Sequence, residues 1–209
     1  MVRAHRSLVL ANDSSWTGWG WALCSNAGPI AVGHVQGLGG RAWRWAALRD
    51  ELERLDLELT EAQALLGPGD PLPRVVVERA PKVYRGRGNQ AATGQGIGQL
   101  GGAILLWGTR PGRLAYPWEL EPGDWRPWWL EARGRRPKGR EAWKAWAVRL
   151  VETLGWGDHL APWPWTGDDG GARADVAEAV LLGVGAAQHH RLGPVGPSPA
   201  RSPAWRPSP

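Results

Sequence analysis

Arg6-Ser7-Leu8-Val9-Leu10-Ala11-Asn12-Asp13 and, one turn later, Gly18-Trp19-Gly20-Trp21-Ala22-Leu23 decide the fold. The first stretch is apolar until it ends on a carboxylate, as a strand does when it reaches an acidic edge. In the second, Trp19, Trp21 and Leu23 share one face and small residues the other, the period-2 signature of a strand. Asn26-Ala27-Gly28-Pro29 is turn chemistry, and Ile30 to Val35 supplies a third strand. The chain is expected to open with an antiparallel meander.

Working outward, residues 41–66 predict a helix, with Leu48, Leu52, Leu55, Leu59 and Ala62 or Leu66 at three- and four-residue spacing. Gly67-Pro68-Gly69-Asp70-Pro71 stops it. Val75-Val76-Val77-Glu78 then reads as a short strand covered on both faces. Strand, helix and strand in this order predict a mixed α/β sheet. A fifth strand is expected over 113–117, and helices over 89–107, 122–130, 140–154 and 173–188. Gly94, Gly96, Gly98, Gly101 and Gly102 weaken the 89–107 helix by about 1 kcal/mol each relative to Ala, so close packing, within a subunit or across a dimer, is expected there. From residue 191 the chain turns Pro- and Arg-rich. The expected organisation is one domain over 1–190 and a disordered tail over 191–209.

With 209 residues the chain is long enough to bury a core, and no apolar run reaches the length of a membrane span. The apolar stretch near the N-terminus is too short for a secretory signal. One cysteine, Cys24, excludes an internal disulfide and a cysteine-based metal site, and a cytoplasmic protein is expected. A formal charge of +5 points to a polyanionic partner. All but three of the 25 basic residues are arginine, whose planar fork suits phosphate, although a GC-rich coding bias raises arginine too. Sixteen Trp and no Phe suggest that Trp fills core positions, with one or two left for stacking on nucleobases.

The carboxylates carry the chemistry. Asp13 closes the first strand. Glu78 ends three valines on a central strand, where an unpaired charge costs several kcal/mol. Pairing with Arg79 is poor, because adjacent strand residues face opposite sides. Asp175 and Glu178 lie about 60° apart on one helix face. The charge-free run from Ala179 to Ala187 makes that helix a buried one. The helix dipole favours such acids a little; a bound cation accounts for them better. An all-oxygen set matches Mg²⁺ or Mn²⁺, and two such ions support phosphodiester hydrolysis. Asp168 and Asp169 read as loop acids.

With these residues in place the sequence resembles the RuvC-type Holliday-junction resolvases of the ribonuclease H-like superfamily. The resemblance runs over most of residues 6–188. Its landmarks are Leu8 to Asp13, Thr17 to Leu23, Val75 to Glu78, Asn89 leading to Gly98-Gln99-Leu100-Gly101-Gly102-Ala103-Ile104, and Ala174-Asp175-Val176-Ala177-Glu178-Ala179. It implies a phage or bacterial member with a five-stranded mixed sheet flanked by helices. It further implies a homodimer that nicks opposed strands of a four-way junction, using two Mg²⁺ or Mn²⁺ ions per active site. Asp13, Glu78 and Asp175 match the family's acidic positions, and Glu178 stands where Asp is more usual. The segment between Glu78 and Asn89 is longer than in bacterial members.

DNA contacts are expected from two basic stretches. Lys82, Tyr84, Arg85 and Arg87 follow the Glu78 strand, with Tyr84 as a candidate wedge at the crossover. Arg135, Arg136, Lys138, Arg140 and Lys144 form the second. Two alternatives remain open: a related nuclease acting on other branched DNA, and a non-catalytic junction binder.

Overall fold

The computed structural model describes residues 8–14, 18–36, 45–64, 66, 73–78, 104, 107–108, 115–130, 137–168 and 170–189. Strands β1 (Leu8–Ser14), β2 (Gly18–Ser25) and β3 (Gly28–Gln36) are followed by helix α1 (Trp45–Ala64) and strands β4 (Arg74–Glu78) and β5 (Ala115–Leu120). The short helices α2 (Pro122–Trp125) and α3 (Pro127–Leu130) lead to α4 (Arg140–Thr153), a 3-10 turn (Gly157–Leu160) and α5 (Gly171–His189). The sheet order is β3-β2-β1-β4-β5. The first three strands are antiparallel, whereas β4 runs parallel to both β1 and β5.

Alternation along the strands sorts the core into two layers. Leu10, Trp19, Trp21, Leu23 and Val75 face α1, where they meet Leu48, Leu55 and Leu59. Val9, Ala11, Ala22, Cys24 and Val76 face α4 and α5. By the same parity Asp13 and Glu78 fall on the α5 side. The small residues of β2 let α5 lie almost against the sheet. A Cβ on Gly20 would stand 2.6 Å from the backbone C and O of Asp175, and one on Gly183 would stand 2.7 Å from the Cys24 Sγ. Only glycine permits these approaches.

Two boundaries differ from expectation. The fifth strand was expected over 113–117 but its described part runs on to Leu120, because Pro117 does not end it. The β4–β5 register shifts between Arg74 and Val76, leaving one extra residue on β5 around the proline. A residue without an N–H is tolerated at such an irregularity on an edge strand. The single helix expected over 122–130 is two short helices. Pro127 cannot donate the next helical hydrogen bond, so the chain breaks at Arg126 and restarts. Of the expected helix 89–107, only Ile104 and Trp107 fall within the described residues, and both are buried in the α1-side layer. Its glycines, and the tail over 191–209, lie outside them.

Candidate metal centre

Asp13 and Glu78 close two neighbouring parallel strands at the same end, since Asn12 pairs with Val77. On its other side Asp13 pairs with Gly20, the residue on which the Asp175 backbone rests. Gly20 thus fixes where α5 crosses β2, next to Asp13 of β1, and one turn further along α5 comes Glu178. Asp13, Asp175 and Glu178 are all buried, and one carboxylate oxygen from each lies within 4.8 Å of the others. Glu78 stands beside this trio at the strand end, close enough that its charge acts on Asp13.

Most of the donors that hold the acids come from α2 and α4. Trp125 donates its indole N–H to Glu78 Oε2 at 2.9 Å. Trp143 donates to Glu178 Oε1 at 2.5 Å, and Arg126 Nη2 reaches the same oxygen at 3.0 Å. The Arg126 guanidinium also lies 4.5 Å from the Trp143 ring centroid. Asp175 is engaged at both oxygens. His34 Nε2 from β3 lies 3.2 Å from Oδ2, and Lys144 Nζ from α4 lies 2.7 Å from Oδ1. Among the described residues, none donates a hydrogen bond to the Asp13 carboxylate. Beneath it, the buried Asn12 accepts from Trp19 Nε1 at 3.0 Å and donates to the Val76 carbonyl at 3.3 Å, tying β1 to both neighbours.

Lys144 requires a correction. The basic pattern groups it with outward phosphate contacts, but its side chain is only 5 % exposed and points into the acid cluster. It lies on the buried face of α4 beside Trp143 and Ala147. Lys138 and Arg140, by contrast, are exposed at the start of this helix. Lys82, Tyr84, Arg85, Arg87, Arg135 and Arg136 lie outside the described residues. Asp168 is exposed in the loop before α5, and Asp169 also lies outside the described residues.

The charges do not cancel. Burial first, and then the charges of Glu178, Glu78 and Asp175, hold the Asp13 carboxyl well above the usual range, against the pull of Lys144. Glu78 is pushed up to about 7 by burial and by Glu178, although Arg126, Trp125 and Lys144 oppose this. Burial also raises Glu178 in spite of Arg126 and Lys144. Asp175 is lowered: burial disfavours its charge, but His34 and Lys144 outweigh that. Lys144 is raised; burial disfavours its ammonium, yet Asp175, Glu178 and Asp13 more than offset this. Asp13, Glu78 and Glu178 are therefore harder to ionise than free carboxylates when no further cation is present, and hold their protons more readily. A divalent ion that displaces those protons satisfies the cluster, and the all-oxygen donor set suits Mg²⁺ or Mn²⁺.

His34, Arg126, Trp125 and Trp143 have no counterpart among the sequence-derived site residues. Within the centre, Trp125 and Trp143 each bring an N–H to a carboxylate, which phenylalanine cannot do. The abundance of Trp over Phe was the available signal.

Among solved structures, the chain is similar to RuvC from T. thermophilus in complex with a Holliday junction substrate. The TM-score is 0.52 at 15 % identity, covering 90 % of this chain and 96 % of that one. A second Thermus thermophilus RuvC structure gives a TM-score of 0.50 at 15 % identity, covering 88 % and 96 %. No protein-family model matches the sequence, and no curated protein does. The fold is the ribonuclease H-like fold of RuvC, with its mixed five-stranded sheet and flanking helices.

Proposed function

We propose that this RuvC-fold chain is a metal-dependent endonuclease that resolves four-way DNA junctions, nicking opposed strands as a homodimer. The observation that carries the proposal is the buried convergence of Asp13, Asp175 and Glu178, with Glu78 beside them. A pure nucleic-acid binder gains nothing from negative charge turned toward phosphate. The junction as substrate is supported by the T. thermophilus structure, which is a complex with a Holliday junction.

Asp13, Asp175 and Glu178 would hold the divalent ion, with Glu78 completing the set. Such an ion supplies Lewis acidity to a phosphoryl group and lowers the pKa of water. The chain's own residues set the stage for that chemistry. Trp125 and Trp143 fix the rotamers of Glu78 and Glu178, while His34 and Lys144 fix Asp175. The sheet and α5 exclude bulk water from below, which strengthens every charge interaction within the centre. Lys138 and Arg140 are proposed to grip the DNA backbone. Lys82, Arg85, Arg87, Arg135 and Arg136 are proposed to do the same, with Tyr84 as the wedge. A cytoplasmic site of action goes with this reading. Among the described residues, no helix is long and apolar enough to cross a membrane.

The test is incubation of the pure protein with a labelled mobile four-way junction, a flap, a fork and plain duplex, with Mn²⁺ or with chelator. Paired nicks in the junction alone, only with metal, are expected. Equal cutting of flaps and forks would move the assignment to a general branched-DNA nuclease. Binding without cutting would make the chain a junction-binding protein.

A further inference from the structure

A cleft of about 510 Å³ opens along β3, the last strand on its side of the sheet. It runs between α1 and the 3-10 turn with the residues that follow that turn. Ile30, which is 39 % exposed, lines it together with Pro162 and Trp163. Its acids Glu51, Glu58 and Asp158 face one guanidinium, Arg54, which Glu51 already holds at 2.6 Å. Glu58 and Asp158 therefore leave the cleft acidic, in a chain whose formal charge is +5. Such a surface repels a nucleic-acid backbone and suits a cationic occupant.

The edge does not favour an added strand. Arg54 Nη2 takes the Val32 carbonyl at 2.9 Å, Pro29 has no N–H, and the Glu51 and Arg54 side chains lie over Gly33. A ladder along β3 would be interrupted at each of these places. A polyproline II segment needs no ladder and packs on apolar and aromatic walls. This chain carries one. Pro199-Ala200-Arg201-Ser202-Pro203-Ala204-Trp205-Arg206-Pro207 combines three prolines, two arginines and a tryptophan, and residues 190–209 contain no acid. The end of α5 delivers that segment to the cleft. Gln188 Nε2 donates to the Asn26 carbonyl at 3.3 Å, in the turn from which β3 starts, and Ile30 follows four residues later. Four strand residues span about 13 Å. The intervening residues 190–198 reach about 28 Å as polyproline II. A ligand on so short a tether has an effective concentration of about a millimolar, so a modest attraction fills the site.

We propose that residues 199–207 dock in this cleft of their own chain. Trp205 lies against Ile30 and Trp163, and Arg201 and Arg206 meet Glu58 and Asp158. The docked segment covers the open side of β3. His34, which also lines the cleft, keeps its Nε2 3.2 Å from Asp175 Oδ2, so the segment backs the strand that holds this acid. The inference does not depend on the nuclease reading.

The experiment places a spin label on the full-length protein through Ser208→Cys; Cys24 is buried, which directs the label to the new thiol. Amide signals of the isotope-enriched chain are then read by nuclear magnetic resonance. Those of Ile30, Glu58 and Asp158 are expected to be lost to the label and to return in Glu58→Arg with Asp158→Arg. Adding Arg201→Glu and Arg206→Glu to that pair is expected to bring the loss back. A tail that merely sweeps past the turn at Asn26 gives the same signals in every variant, and that result overturns the inference. Signals intact in the labelled chain with no further change overturn it equally. Mixing spin-labelled, unenriched chain with enriched, unlabelled chain tests docking between copies; loss of the same signals there assigns the cleft to a neighbour's tail and overturns docking within the chain. Should the Glu58 and Asp158 variant fail to fold, Arg201→Glu with Arg206→Glu alone decides: the signals must return.

Discussion

Replacing Gly20 with Ala tests whether the position of α5, and with it the whole centre, hangs on one hydrogen atom of β2. The added Cβ would sit 2.6 Å from the carbonyl carbon and oxygen of Asp175 and 3.0 Å from the Val176 nitrogen. Ordinary contact begins near 3.4 Å, so α5 must lift by about 0.8 Å at this point. The obstructing atoms are helix backbone, so no side-chain rotation relieves the clash. Overpacking of this kind costs about 1–3 kcal/mol. With a urea m-value of about 2 kcal/mol per M, the midpoint falls by about 1 M. Activity suffers more than stability. Asp13 pairs with Gly20, so the lift carries Asp175 and Glu178 away from Asp13. A displacement near 1 Å costs about 100-fold in rate. Urea unfolding and single-turnover junction cleavage are to be measured on the same preparation, with binding followed by gel shift. Unchanged cleavage together with an unchanged midpoint would refute the claim that Gly20 sets the crossing of helix and sheet.

Four further outcomes follow from the geometry. Trp143→Phe keeps the ring packing but removes the donor to Glu178 Oε1, and should cost about 1–3 kcal/mol in urea unfolding. Stability with chelator should fall as pH rises from the ordinary Glu range through about 7. Glu78 holds its proton in the folded state over that interval, and stability is lost as the proton leaves. The rise in Tm on adding Mn²⁺ should accordingly grow across the same window, which scanning calorimetry at stepped pH checks. Lys138→Ala with Arg140→Ala should flatten the slope of log binding constant against log salt by about 2 units, with single-turnover cleavage of bound junction little changed. Asp13→Asn should bind junctions in a gel shift but not cut them.

Elements whose pattern is local were legible in the sequence. Trp19, Trp21 and Leu23 alternate because β2 packs one face on α1, and Asp175 and Glu178 interrupt an otherwise apolar helix because that helix crosses the strand ends. The order of the acids was therefore readable. The supporting groups were not, because their roles arise only when distant elements meet. Lys144 shares a basic stretch with Lys138, and its charge pattern alone does not set it apart; the packing of α4 on α5 turns one inward and leaves the other in solvent. His34 lies on an ordinary edge strand until α5 brings Asp175 over it. Arg126 reaches Glu178 because a proline breaks the helix beside it, a break that the single helix expected over 122–130 does not contain.

The most direct measurement of the central claim is anomalous scattering from a crystal soaked in Mn²⁺. A strong peak is expected within bonding distance of Asp13, Asp175 and Glu178, lost in Asp13→Asn. Soaked crystals with those carboxylates free of manganese, or with the ion bound elsewhere on the chain, would contradict it.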